Sequence, residues 1–367
     1  MMKILFVEDD SVSISAFETS LSAWNEDHQD CTISTEMCKS YADAVAFLMS
    51  GESFDLVGLI VDLTLADGEG TGNELIRKLD DMHRRIPVIV FTATPDALEC
   101  PYVLARMKKG ENSYEEAFKR FSDAEKIGLT KILGCNGRID FLLQQIFDVA
   151  IMPRFSSWYE YAKCHDAVEA ENALSRSVVE HLHAALDGDC SQFAPEEFYI
   201  SKIVQSCYPR PGEVLKMKKD GNYYVVLSPS CDLALRENGK PKTDRFLVCE
   251  MERVKQVLEG NKGCLKKRSK KDGLDKNRIE ELVHDIEGRL RRNVHAHYYH
   301  YFPAGALLED AYLVNFRRLN TYQREEFQKV FESIGIAVSP CFFRDIQSRF
   351  SSYYGRQGQP DIDFPKD

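Results

Sequence analysis

Predicted strands alternate with predicted helices along the first 94 residues, and this alternation constrains the fold more than any other feature of the sequence. The predicted strands are residues 3–8, 32–37, 56–65 and 86–94. Between the first two, apolar residues recur at helical spacing, at Ile14, Phe17, Leu21 and Trp24. Apolar strands that alternate with helices indicate a parallel sheet covered by helices on both faces. The sequence therefore predicts an α/β domain, and such domains bind ligands at the carboxyl ends of their strands.

Oxygen-bearing side chains stand at the ends of three of these strands. Glu8 and Asp9 end the first strand, Asp62 lies in the third, and Thr92 lies in the fourth. Because the carboxyl ends of parallel strands lie side by side, we expect the carboxylates to be close together. Their pKa values should then be raised unless a cation is bound among them. Mg²⁺ suits such oxygen ligands, and a carboxylate beside it can accept a phosphoryl group.

A hydroxyl group and an ammonium group could hold the remaining oxygens of that phosphoryl group. Thr92 supplies the hydroxyl, and Lys131 supplies the ammonium at the end of a predicted short fifth strand, "IGLTKIL". The polar stretch from Pro95 to Ile127 predicts one or two helices between the fourth and fifth strands. Residues 138–151 predict a closing amphipathic helix.

At this point the pattern resembles the receiver domain of two-component response regulators. The resemblance is carried by "ILFVEDD", "LIVDLTLADGEGTGNEL", "PVIVFTA" and "LTK", and it covers residues 1 to 150 or so. It implies a flavodoxin-like parallel sheet of five strands and a phosphoryl group taken from a histidine kinase. Carried over by position, Asp62 is the phosphoacceptor, Thr92 is the conformational-switch hydroxyl, and Lys131 contacts the phosphate, with Lys126 as the alternative.

The resemblance also implies a bound Mg²⁺ ion. Its ligands would be Asp9, Asp62, the backbone carbonyl of Thr64 and, through water, Glu8. Asp10 lies one place beyond the acid pair and has no implied role. Several features depart from the family pattern. Ala66 stands where a proline is usual, Gly128 stands where an aromatic switch residue is usual, and Lys131 follows Thr92 at about twice the usual spacing. The last departure predicts an enlarged fourth helix region.

The rest of the chain differs in character, and Pro153 marks the predicted boundary. We predict a receiver-like domain over 1–152 and a helical connector over 153–195, which contains a long helix at 157–187. Residues 196–367 predict an α+β domain with short antiparallel strands, in which "KDGN" is a hairpin turn and a basic stretch at 262–278 interrupts the strands. Nothing in it reads as a helix-turn-helix motif.

Four short runs in this region are candidates for functional sites. Cys231 beside Asp232 is a candidate nucleophile or metal ligand with the histidines of "HAHYYH", which are His295, His297 and His300. A buried structural cysteine and a polar strand face are the favoured readings. The run "KKRSKK" (266–271) is favoured as a solvated loop over a nucleic-acid contact. The run "SRFSSYYGRQG" is favoured as helix packing over a platform for stacking a nucleobase.

Composition limits the function classes. The net charge is −11, which disfavours nucleic acid or a membrane surface as the main partner. The cysteines and the N-terminus predict a cytoplasmic protein. The favoured function is a phosphoacceptor whose second domain is an output module, in a stress or phage-defence system. One alternative is an enzyme effector that uses Cys231 and the histidines. The other is a phosphate sink whose second domain only binds a protein effector or a second copy.

Overall fold

The computed structural model describes residues 1–65, 70–94, 101–186, 192–202, 208–236, 238–272, 275–305 and 307–356, without the side chains of 268–272. The chain divides into two compact units, Met1–Asp189 and Cys190–Asp367. The segment predicted as a separate connector therefore falls mostly within the first unit. Ala66 and Pro95 lie outside the described residues.

The first unit contains a parallel sheet of five strands in its described part. The strands are β1 (Met2–Val7), β2 (Ile33–Cys38), β3 (Leu56–Val61), β4 (Val88–Thr92) and β5 (Val103–Lys108). They lie in the order β2-β1-β3-β4-β5, and every neighbouring pair is parallel. This order is the flavodoxin-like one. The predicted fold class of the N-terminal region is confirmed.

Helices cover both faces of this sheet, as the apolar strands require. The helices are α1 (Ser11–Asp27), α2 (Tyr41–Met49), α3 (Gly72–Asp81) and α4 (Tyr114–Lys126). On one face, Phe6 of β1 stacks on Phe17 of α1, which in turn packs against Phe118 of α4. On the other face, Val61 of β3 belongs to a cluster with Leu75 of α3. Alternate side chains of each strand thus enter two separate cores.

The fifth strand differs from its prediction. Only ten residues, 93–102, separate β4 from β5, so the predicted enlarged helical region between the fourth and fifth strands was wrong. The segment "IGLTKIL", predicted as the fifth strand, instead contains the short helix α5 (Leu129–Leu133). The physical reason is that residues 103–108 already pair with β4, the strand beside which a fifth strand must lie. The helix of the polar stretch, α4, follows β5 in sequence.

The remainder of the first unit is helical and mostly exposed. The helices are α6 (Arg138–Ile146), which continues into a π-helical turn at Phe147–Ile151, then α7 (Phe155–Lys163) and α8 (Ala167–Leu186). The predicted closing helix is present, and the predicted long helix is two helices. Over the described residues of α7 and α8 no side chain is buried.

The second unit is built on an antiparallel sheet, as predicted. Its strands are β6 (Tyr199–Ser201), β7 (Glu213–Met217), β8 (Tyr223–Val226), β9 (Arg245–Arg253), β10 (Tyr299–Phe302), β11 (Tyr312–Gln323) and β12 (Phe331–Val338). Among the described residues their order is β10-β11-β9-β8-β7-β12-β6. The predicted hairpin turn "KDGN" connects β7 to β8, which pair in antiparallel fashion.

Five helices flank this sheet in the described ranges. They are α9 (Ser230–Leu233), α10 (Val254–Asp272), α11 (Lys276–Arg291), α12 (Arg324–Val330) and α13 (Pro340–Gly355). The run "KKRSKK" of the basic stretch lies within the helix α10, so the prediction that it is a solvated loop was wrong. The helix predicted over "TYQREEFQKVFESI" ends at Val330, because Phe331 and Ile336 enter the core as part of β12. No helix in the described part is long and apolar enough to cross a membrane.

Candidate functional site

Four polar residues meet at the carboxyl edge of the parallel sheet because four neighbouring strands end there. Glu8 follows β1, Asp62 follows β3, Thr92 is the last residue of β4, and Lys109 follows β5. Backbone hydrogen bonds fix these ends. The Asp62 amide donates to the Val7 carbonyl (3.0 Å), and the Lys109 amide donates to the Thr92 carbonyl (3.0 Å). The alternation of strands and helices thus places the acids and the lysine at one edge.

The Lys109 ammonium connects the two most buried carboxylates of this edge. Its Nζ lies 2.6 Å from Glu8 Oε2 and 2.6 Å from Asp62 Oδ2. Glu8 is 2% exposed and Asp62 is 7% exposed. A buried pair of carboxylates is unfavourable without a counter-charge, and a single ammonium here serves both groups. The negative charges of Glu8 and Asp62 are thus balanced by the lysine that directly follows β5.

The lysine predicted for this role lies elsewhere. Lys131 belongs to α5, where its Nζ pairs with Glu125 Oε1 at 2.6 Å and its side chain is 70% exposed. The alternative, Lys126, pairs with Asp123 at 3.3 Å on the surface of α4. The structure therefore brings neither lysine to Asp62. Lys109 holds that position, because β5 and not the segment at 127–133 is the fifth strand.

The other predicted residues lie at or beside the cluster. Thr64 is exposed, and its amide donates to Asp62 Oδ1 at 3.2 Å. Thr92 is 1% exposed at the end of β4. Asp9 is half-buried, next to Glu8 in the chain. Asp10 caps α1, since its Oδ2 accepts hydrogen bonds of 2.8 Å from the amide and from the hydroxyl of Ser13. Its role is structural.

The protonation of this cluster reflects burial opposed by ion pairing. Burial raises the pKa of Glu8 above its ordinary value, although the hydrogen bond and the charge of Lys109 act in the opposite direction. Burial lowers the pKa of Lys109, but its hydrogen bonds to Asp62 and Glu8 more than offset this and raise the pKa. Lys109 therefore stays charged at neutral pH. Glu8 is the member of the cluster whose ionisation is opposed by the fold.

Replacing Glu8 by Gln should make the first unit more stable at neutral pH. A carboxyl whose pKa is raised on folding contributes stability below its unfolded pKa, and this contribution is lost as the pH rises through the folded pKa. Glu8→Gln removes the charged form and leaves one carboxylate for one ammonium. We expect a gain of about 1 kcal/mol at pH 7, or about 2–4 °C in the melting temperature, that shrinks towards pH 4.

Thermal unfolding at several pH values measures this difference. The matched control is Glu18→Gln, which replaces an exposed carboxylate on α1 and should change the melting temperature little at any pH. A Glu8→Gln protein that is less stable than the wild type at pH 7 would contradict the conclusion that the fold opposes ionisation of Glu8.

The donor chemistry of this edge fits Mg²⁺. The carboxylates of Glu8, Asp9 and Asp62 and the carbonyl of Thr64 are hard oxygen donors. In the structure, the cation between Glu8 and Asp62 is the Lys109 ammonium. Over the described residues, no three His, Cys, Asp or Glu side chains are grouped so as to hold a metal ion. The residues thus have the chemistry for Mg²⁺, and a metal would compete with Lys109 for the same carboxylates.

The structure separates Cys231 from His300 in the second unit. Cys231 is exposed in α9, just beyond the end of β8, so the favoured prediction of a buried structural cysteine was wrong; its Sγ lies 4.0 Å from Asp232 Oδ1. His300 is in β10, which is separated from β8 by β9 and β11. Three strand spacings amount to about 14 Å. The cysteine and this histidine therefore cannot form one site.

Comparisons with known proteins concern the first unit. No family model matches the chain, and no curated protein is similar enough to be matched. Solved structures do resemble it. A CheY-like receiver domain protein from Methanospirillum hungatei is 17% identical, with 35% of this chain and 99% of that chain covered and a TM-score of 0.28. A two-component response regulator from Legionella pneumophila is 24% identical, with 34% and 99% covered and a TM-score of 0.28. The Mn²⁺-bound form of response regulator Rcp1 is 21% identical, with 36% and 99% covered and a TM-score of 0.27.

The fold of the first unit rests on its own strand order, β2-β1-β3-β4-β5, which is the flavodoxin-like order that CheY also has. These solved structures are covered almost completely, whereas about two thirds of this chain lies outside the likeness.

Proposed function

We propose that the first unit accepts a phosphoryl group on Asp62 from a histidine kinase, as a response regulator does. The observation that supports this most directly is the Lys109 ammonium, 2.6 Å from both Asp62 and Glu8 at the carboxyl edge of the sheet. A carboxylate at this edge meets a phosphodonor from solvent, while its neighbours supply the charges that phosphoryl transfer requires.

In the proposed reaction, a carboxylate oxygen of Asp62 attacks the phosphorus of a phosphohistidine. The oxygen–phosphorus bond forms as the nitrogen–phosphorus bond breaks, and the histidine nitrogen leaves with the electron pair. Lys109 then holds a phosphoryl oxygen in place of a carboxylate oxygen, and Thr92 offers its hydroxyl to another. Glu8, Asp9, Asp62 and the Thr64 carbonyl would hold Mg²⁺, which when bound neutralises phosphoryl charge.

Labelling with radioactive acetyl phosphate tests this proposal. We expect the full-length protein to become labelled in the presence of Mg²⁺. When EDTA removes the metal before labelling, the amount of label should be about tenfold lower. Because an acyl phosphate is cleaved by hydroxylamine and a serine or threonine phosphate is not, the label should be released by hydroxylamine. Absence of label, or a label that resists hydroxylamine, would count against an aspartyl phosphate.

The second unit is proposed as the output module that responds to this modification. Binding of a protein effector or of a second copy is favoured over an enzymatic role, because Cys231 lies in α9, just beyond β8, and His300 lies in β10, a strand that does not neighbour β8. A phosphate sink, in which the second unit only binds partners, remains the alternative. We propose further that the protein acts in the cytoplasm, in a stress or phage-defence system. A histidine kinase encoded beside this protein would support the proposed phosphoryl transfer.

A further inference from the structure

A polar pocket lies in the second unit, between α13 and the loop that precedes β10. Its volume is about 460 Å³, and its lining consists of hydrogen-bond donors: His297, Ser348, Arg349, Ser352, Tyr353 and Arg356. Four of these residues belong to α13 and Arg356 directly follows it, and the five recur at helical spacing, so they form one stripe along the helix and its end. None of the six is a carboxylate, although the chain as a whole carries a net charge of −11. The pocket is therefore a cationic region in an acidic protein.

Arg349 is held in place by neutral groups. One of its terminal nitrogens donates to the carbonyls of Asn293 (2.8 Å) and Tyr299 (3.2 Å), which lie at the two ends of the loop that carries His297. Its Nε is buried and has no hydrogen-bond partner among the described residues. Carbonyl oxygens orient a guanidinium without cancelling its charge. Arg349 thus contributes a fixed positive charge to the wall of the pocket.

Two further arginines rest on aromatic rings beside the pocket. The Arg356 guanidinium lies 4.1 Å from the centre of the Tyr353 ring, and the Arg317 guanidinium lies 3.7 Å from that of Tyr298. Arg317 Nε also donates to the Tyr353 hydroxyl at 3.3 Å. Cation–π contacts position the charge but do not neutralise it. These contacts leave positive charge around the pocket that an anion can balance.

The neighbouring histidine and acid do not supply that balance. Burial and the charge of Arg349 lower the pKa of His300 to about 3, so its imidazole is neutral at physiological pH. Asp345 lies one turn before Arg349 on α13 and is directed to His300, with Oδ2 3.7 Å from Nδ1. The charge of the pocket therefore comes from its arginines.

We propose that this pocket binds the phosphate group of a small organic phosphate of about the size of a nucleoside monophosphate. Arginine matches phosphate oxygens in a bidentate geometry, and the serine, tyrosine and histidine side chains add donors. The volume lies within the range of about 300–1,000 Å³ that is usual for small-molecule sites, and it leaves room for more than a phosphate ion. This site is separate from Asp62 and does not depend on the proposed phosphoryl transfer.

Calorimetric titration of the full-length protein with inorganic phosphate and with adenosine 5′-monophosphate tests the proposal. EDTA is included so that Mg²⁺-dependent binding of anions in the first unit does not contribute. We expect phosphate to bind saturably with a dissociation constant of about 1 mM, and the nucleotide to bind with a lower dissociation constant. Arg356→Gln and Arg349→Gln should each weaken both by about tenfold or more, since each removes a charged donor.

The matched control is Arg344→Gln, an exposed arginine of α13 that does not line the pocket. It should change the affinities by less than about twofold, as expected for a surface charge outside the site. Because Arg349 also holds the loop, its variant is checked by circular dichroism, and Arg356→Gln carries the test if that variant misfolds. Failure of both ligands to bind would overturn the proposal, as would equal losses in Arg344→Gln. A nucleotide no tighter than phosphate would overturn the size assignment, and a single-stranded oligonucleotide that binds at least tenfold more tightly would indicate a nucleic-acid surface instead.

Discussion

The Asp62→Asn protein should acquire no label from acetyl phosphate or from a phosphorylated histidine kinase. The asparagine amide is not a nucleophile, whereas its oxygen can still accept the 3.2 Å hydrogen bond from the Thr64 amide. The substitution also leaves the Lys109 ammonium with Glu8 alone, which reduces the crowding of negative charge at this edge. We therefore expect the label to fall to background while the free energy of unfolding changes by no more than about 1 kcal/mol.

Asp10→Asn is the matched control for this experiment. Asp10 belongs to the same run of acids, but its carboxylate caps α1 through Ser13, and asparagine caps a helix about as well as aspartate. Its variant should keep most of the label. Retention of full labelling in Asp62→Asn would place the phosphoacceptor on another residue and would contradict the proposed function.

The Lys109→Ala protein should lose both activity and stability. Its side chain is 21% exposed, and its ammonium lies between two carboxylates that are almost completely buried. Removing it leaves Glu8 and Asp62 side by side without a counter-charge. We expect the free energy of unfolding to fall by about 3 kcal/mol, as when one partner of a buried ion pair is removed. The rate of labelling should fall by about 100-fold, because a charge that stabilises the transferred group is absent.

Urea unfolding and a labelling time course measure the two effects. Lys131→Ala is the control, since an exposed lysine paired with Glu125 should contribute less than about 0.5 kcal/mol and should not affect labelling. The Lys109→Ala/Asp62→Asn double variant should recover much of the lost stability, because one uncompensated carboxylate is gone. A Lys109→Ala protein with unchanged labelling would remove this lysine from the proposed site.

The sequence was sufficient to predict the first four strands, because three of them are mostly apolar and each of the four is followed by a helical or turn segment. Glu8, Asp62 and Thr92 could be placed at one edge of a sheet for the same reason. Lys109 was missed because β5, "VLARMK", is a polar edge strand in which Arg106 and Lys108 alternate with apolar residues, and it was interpreted as helix. The available signal was its period of two, together with a lysine 17 residues after Thr92.

The second unit was less predictable for a different reason. Its strands and hairpin turn leave local patterns in the sequence, and they were identified. The stripe of donors on α13 meets His297 only through tertiary packing, because some 50 residues separate the loop before β10 from the helix. The local periodicity of a sequence cannot predict a contact between residues so far apart in the chain. The tyrosines and arginines of "SRFSSYYGRQG" are evident in the sequence. The kind of ligand they could bind, however, depends on which positive charges remain unbalanced in the folded protein, and the sequence does not give that.

The place of β5 in the sheet also bears on aggregation. It is an edge strand of the described sheet, so its outer backbone groups face away from the four other strands and could pair with a strand of another molecule. Arg106 and Lys108 put positive charges on this edge, and such charges oppose edge-to-edge association of identical chains. The same short strand thus delivers the lysine of the candidate site and protects the sheet from fibrous self-association. Substitutions that make β5 more apolar would put both properties at risk.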